Sequence, residues 1–242
     1  MNKDLFVIRQ KNANLTLSLS LLSLVLFALT TWVSRAFFTT WIAVIGTVLL
    51  LIPSIILQFW NKHNEWPSFY SLILNSLANG LIVSVYYLHY DIAVRLGALL
   101  MGLLLPFVLL LCAYIILGLM EKRRTLLTVL LILSYFVALI GSVVKWAQTG
   151  SVVYSFTFFS IIFVLIYTIS YLITLRRPGL SVTGALSMGS YGIMGVLVVV
   201  VITLVSEGET FEGILEGMGD IIAELFPTRN HKPKHQKPPT RF

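Results

Sequence analysis

The chain has 242 residues, 57% of them hydrophobic and only 11% charged, with a formal net charge of +7. Soluble domains carry about 25% charged residues, and a mean hydropathy of +0.91 excludes a water-soluble globular class. The basic excess is no nucleic-acid footprint, because no basic face with base-reading or stacking groups accompanies it; in a lipid-embedded chain it reports which loops stay in the cytoplasm.

A helix needs about 20 apolar residues to cross a bilayer. Runs of that length predict seven spans, over 15–33, 40–60, 69–88, 96–120, 125–146, 153–175 and 182–205. Residues 1–205 therefore read as an all-α, polytopic transmembrane bundle. The first run is preceded by positive residues, but it is long and no small-residue cleavage site follows, so it reads as an uncleaved span rather than a signal peptide. Trp32, Trp41, Trp60 and Trp146 fall at span ends, where interfacial aromatics settle. Lys3, Arg9, Lys11, Lys62, Lys122, Arg123, Arg124, Arg176 and Arg177 fall on one side of this arrangement, against Arg35, Arg95 and Lys145 on the other. The asymmetry predicts a cytoplasmic amino terminus and, after seven crossings, an external carboxyl terminus, in a plasma membrane or a bacterial inner membrane. No sequence repeat divides the chain into halves.

No Asp, Glu, Lys, Arg or His lies in the middle of a span. Proton relays and ion-coupled sites usually rest on such groups, so proton-coupled transport is disfavoured. Weaker polar groups do align, because residues three, four and seven apart share a helix face. Span 1 aligns Thr16, Ser20, Ser23, Thr30 and Ser34; span 2 aligns Thr47, Ser54 and Gln58. Span 3 aligns Ser71, Asn75, Asn79 and Tyr86; span 6 aligns Thr157, Ser160, Tyr167, Tyr171 and Thr174. Lipid cannot satisfy a carboxamide, so Asn75 and Asn79 must face protein or a wet cavity. These seams are either hydrogen-bonding glue between packed spans or the lining of a polar cavity for a small solute or lipid headgroup. Span 7 carries a small-residue stripe, Ser181, Ala185, Gly189 and Gly192, and span 4 carries Ala98 and Gly102 before Pro106. Small residues let helix backbones approach closely, while Pro53 and Pro106 each remove a backbone donor.

Catalytic chemistry is not legible. There is no HExxH, GxSxG or glycine-rich phosphate loop. The lone Cys112 lies in an apolar run and precludes an intrachain disulfide or a cysteine metal cluster. Outside the carboxyl-terminal segment the acids are Asp4, Glu65, Asp91 and Glu121, scattered over different segments, whereas a general acid and base must meet within hydrogen-bond reach. His63 and His89 fall on opposite sides of the membrane. His89, Asp91 and Arg95 read as a span-end cap and ion pair, and His231 and His235 sit among prolines that oppose a shared-metal helix. The Asn14 sequon abuts the membrane on the inside and reads as chance. No enzyme activity, cofactor or metal is expected.

After the last span, residues 206–226 turn acidic and amphipathic. Phe211, Leu215, Met218, Ile222 and Leu225 recur at helical spacing, with Ile214 and Ile221 beside them and Glu209, Glu212, Glu216, Asp220 and Glu224 opposite. Such a short helix, interrupted by Gly213, Gly217 and Gly219, needs a surface to cover its apolar face: membrane lipid, its own bundle, a partner protein or a second copy. Residues 227–242 are basic and proline-rich and predict a disordered tail. Together these features point to a membrane protein that acts through protein or lipid contacts, as a regulatory, accessory or immunity-type subunit. A small-solute permease or channel-like protein, with spans 1, 2, 3 and 6 around a polar cavity, is the alternative.

Overall fold

A computed structural model describes residues 3–60, 65–88, 96–119, 124–176 and 181–205. The amphipathic segment 206–226 with Phe211, Leu215, Met218, Ile222 and Leu225, the tail 227–242, and the histidines at 63, 89, 231 and 235 lie outside the described residues. The chain divides into one compact unit, Met1–Val201, and a second, Ile202–Phe242; the packing described below belongs to the first.

The elements are α1 (Lys3–Phe37), α2 (Thr40–Trp60), α3 (Glu65–Leu88), α4 (Leu96–Tyr114), α5 (Arg124–Thr149), α6 (Val152–Arg176) and α7 (Val182–Val205), with α4 running on into a π-helical turn, Ile115–Leu119. All seven helices are long and apolar enough to cross a membrane, so the chain is a multi-pass integral membrane protein. The helices outrun several of the predicted spans. α1 begins at Lys3, well before residue 15, because hydropathy marks only the hydrocarbon-crossing section. Helix backbone bonds are local, so they continue through polar residues beyond it.

Two helices sit at the centre. α3 and α6 are 67% and 61% buried across their spanning windows, against 17% each for α2 and α5. α3 is also the least apolar of the seven spans. This inverts the rule for water-soluble proteins. Lipid covers an apolar helix at no cost, so the polar helix is the one that must go inside. α2 and α5 accordingly turn Ile45, Leu49, Ile52, Ile56, Leu130, Leu133, Val137 and Ile140 outward. The order of burial repeats. Within α1–α3, the third helix packs on both others; within α4–α6, α6 packs on α4 and α5.

The two triads meet through aromatic side chains. The ring of Phe27 on α1, fully buried, stacks on Phe156 at 5.4 Å and leans on Phe163 at 4.3 Å, both on α6. On α3, Tyr86 and Tyr87 meet Phe159 edge-on at 5.9 and 6.4 Å, favourable geometry for rings with negative faces and positive edges. Close backbone approach is confined to particular glycines. A Cβ on Gly80 of α3 would lie 2.8 Å from the Phe27 carbonyl and 2.7 Å from Thr30 Cβ. One on Gly102 of α4 would lie 3.1 Å from the Val153 carbonyl of α6. The predicted stripe on α7 divides. A Cβ on Gly189 would collide with Ser170 of α6, whereas one on Gly192 would meet nothing within 4 Å. Ser181 serves as the cap of α7 rather than as a packing residue, accepting the Gly184 N–H at 3.0 Å. Gly150 ends α5 with φ +61° and donates its N–H to the Trp146 carbonyl at 2.8 Å, the left-handed close that favours glycine.

Candidate functional site

The polar residues of α2 and α3 meet each other, and they meet a third face on α7. Ser54 of α2 and Ser71 of α3 lie 3.1 Å apart, and the Ser54 hydroxyl also donates to the Ser71 carbonyl at 3.0 Å. The Tyr191 hydroxyl of α7 bridges the pair, 2.8 Å from Ser54 and 2.9 Å from Ser71. One turn earlier on α7, Ser187 lies 2.7 Å from Gln58 Oε1 and 2.9 Å from Ser71. Further along α3, Asn75 Nδ2 donates to the Ser190 hydroxyl at 2.7 Å and Asn79 Nδ2 to the Ser190 carbonyl at 3.4 Å. A continuous seam thus joins three helices, and Ser54, Ser71, Asn75, Asn79, Ser187 and Ser190 are each fully buried in it.

The polar residues of α1 and α6 form a second seam on another side of α3. The Ser23 hydroxyl of α1 bonds both Ser76 of α3 and the Tyr167 hydroxyl of α6. Ser76 also donates to the Leu72 carbonyl of its own helix at 2.7 Å. Higher on the same contact, Thr31 reaches the Gly80 carbonyl at 3.2 Å. Two further pairs fix the flanks of α6: Tyr87 with Ser155 at 3.1 Å and Tyr135 with Thr168 at 2.8 Å.

Residue chemistry sorts which predicted groups join a seam. Thr16, Thr30, Thr47 and Thr157 each donate to the carbonyl four residues back, at 2.7–2.8 Å. Their hydroxyls donate within their own helices, a bond open to helical Ser and Thr; Thr31 and Thr168 make the same bond and still reach Gly80 and Tyr135. Thr47 and Thr157 are buried beside the seams. Tyr86 contributes its ring to the aromatic contact. Tyr171 lines a small cavity of about 20 Å³ with Thr16, Tyr114 and Thr168.

Among the described residues, four buried side-chain oxygens have no hydrogen-bond partner: Ser20 Oγ, Ser160 Oγ, Asn75 Oδ1 and Asn79 Oδ1. The larger cavities lie elsewhere. One of about 330 Å³ opens among Leu15, Leu19, Glu65, Trp66, Phe69 and Thr183. Another of about 510 Å³ is an apolar groove between α1, α2 and α3, lined by residues such as Leu26, Val33, Leu49, Leu77 and Leu81. Among the described residues no three His, Cys, Asp or Glu side chains come close enough to hold a metal.

The polar faces of α1, α2, α3 and α6 are read from residue spacing, but the partners that α2 and α3 find on α7 are not. Thr183, Ser187, Ser190 and Tyr191 follow the same three- and four-residue spacing, which was masked by the glycines interleaved with them. No family model matches the chain, and neither a curated protein nor a solved structure matches it.

Proposed function

We propose that the chain is a non-enzymatic membrane subunit that acts by contact with protein or lipid, in a regulatory, accessory or immunity-type role. One observation carries this reading. The seam hydroxyls and the carboxamide nitrogens that could line a permeation path are bonded across helix contacts, from Gln58–Ser187 and Asn75–Ser190 to Ser23–Tyr167. That pairing is how polar groups hold packed spans together in lipid. On this reading the bundle is a rigid platform in a plasma or bacterial inner membrane, with its amino terminus in the cytoplasm. The acidic, amphipathic segment around Phe211, Leu215, Met218, Ile222 and Leu225 is the contact element, placed outside, for a partner protein, a second copy or the lipid surface. No cofactor is needed.

Complementation of a strain lacking the chain tests the reading. Deletion of residues 207–242 is expected to leave membrane insertion intact and to abolish rescue. Full rescue by an inserted, truncated chain would refute it. A second reading, a small-solute permease, is favoured by the partnerless carboxamide oxygens of Asn75 and Asn79. It expects the Asn75→Leu/Asn79→Leu chain to insert normally and to lose uptake in reconstituted vesicles. Unchanged uptake would eliminate it.

A further inference from the structure

The two asparagines of α3 share an arrangement that their surroundings fix. Ser190 is the common partner. Its hydroxyl donates to the Ser187 carbonyl at 2.6 Å, so towards Asn75 it can only accept, and Asn75 must present its amide nitrogen. The Asn79 nitrogen faces the Ser190 carbonyl at 3.4 Å, an acceptor with no hydrogen to give. Neither carboxamide can be flipped without setting two acceptors against each other, so the orientation follows from donor and acceptor chemistry. Both oxygens lie on the opposite branch, fully buried and without a donor.

Buried acceptors in proteins are almost always satisfied, by protein or by an ordered small molecule. Residues four apart on a helix have Cβ atoms about 5–6 Å apart. The two side chains are therefore near neighbours, and a donor atom lying between them would serve each oxygen at about 2.8–3.0 Å. The charge balance narrows the donor. Every buried polar side chain among the described residues is Ser, Thr or Asn apart from the tyrosines, so nothing there neutralises a cation, and burying an uncompensated charge is prohibitive.

We propose that Asn75 and Asn79 form a binding site for a small neutral ligand that offers two hydrogens from one atom. Water meets that description, and so does the –NH2 group of a primary amide or urea. The site stands whether the chain acts by contact or by transport, since the occupant either stays or passes. It also gives a reason for placing two carboxamides in a helix where leucine would pack without a polar demand.

Solid-state NMR of the full chain in lipid bilayers, with asparagine labelled at Cγ and water-proton transfer as the readout, tests the site. Transfer is expected at Asn75 and Asn79 as it is at exposed Asn14, which serves as control. Adding acetamide separates the two sources. Loss of the water signal at Asn75 and Asn79 identifies an amide-admitting site, and its persistence identifies water as the occupant; each supports a two-hydrogen donor. Transfer at Asn14 and none at Asn75 and Asn79, with or without acetamide, would overturn the proposal. Thermal unfolding gives an independent reading through Asn79→Leu. A bonded oxygen makes this change lower the melting temperature by several degrees. A bare oxygen makes it neutral or stabilising, which would count against the site.

Discussion

Replacing Gly80 by alanine adds one methyl group where the backbones of α1 and α3 approach closely. Its Cβ would sit 2.8 Å from the Phe27 carbonyl oxygen and 2.7 Å from Thr30 Cβ. Carbon atoms rest about 3.5–4.0 Å apart, so the two helices must separate by roughly 1 Å. That shift lengthens the Thr31–Gly80 bond, already 3.2 Å, past useful range, and it loosens the Phe27 ring from Phe156 and Phe163. Overpacking of this kind costs about 1–3 kcal/mol. The control lies in the same molecule. A Cβ on Gly141 of α5 or Gly195 of α7 meets nothing within 4 Å, and alanine in a helix interior is favoured over glycine by about 0.5–1 kcal/mol. That gain is common to both variants, so reversible unfolding in mixed micelles should set Gly80→Ala below Gly141→Ala by about 1–3 kcal/mol. Equal stabilities for the two variants would refute the close approach of α1 and α3.

Three further outcomes are expected. Tyr191→Phe removes one hydroxyl from both Ser54 and Ser71 and should cost about 1 kcal/mol, within the range of interhelical bonds in bilayers; a double-mutant cycle with Ser54→Ala should be non-additive, and strict additivity would deny the contact. Phe27→Ala empties the junction of the two triads and should cost about 3–5 kcal/mol, measured by the same unfolding assay, whereas Phe37→Ala, at a side chain 77% exposed, should change stability little. Cys112 is exposed on the outside of α4 within the span Leu100–Leu117, where hydrocarbon excludes a water-soluble reagent. A water-soluble maleimide should leave it unmodified in intact membranes and label it after denaturation, and rapid labelling in the native membrane would contradict its lipid-facing position.

Most of the fold is readable from hydropathy because the bilayer imposes one length and one polarity on every crossing. The facing of the carboxamides is readable too, since Asn75 and Asn79 had no acceptable place except inside. Three things were not. The start of α1 at Lys3 lies before the apolar section, where an apolar count carries no signal. Whether a hydroxyl stops at its own helix carbonyl, as at Thr47, or also reaches a neighbour, as at Thr168, depends on what the packing sets opposite it. Spacing is the same in both cases. The role of α7 was hidden because glycine and serine look alike as small residues. Gly192 faces open space while Ser190, two positions away, holds both asparagines.

The partnership between α3 and α7 also sets a timetable. Asn75 and Asn79 find their partner at Ser190, 115 and 111 residues later in the chain. At roughly 5–20 residues per second, α3 emerges about 6–23 s before the helix that completes it. During that interval the least apolar span of the protein carries two bare carboxamides in or beside the membrane. Substitutions that weaken Ser187, Ser190 or Tyr191 therefore act first on a nascent chain, as helices awaiting assembly and exposed to quality control, and only later on the finished bundle.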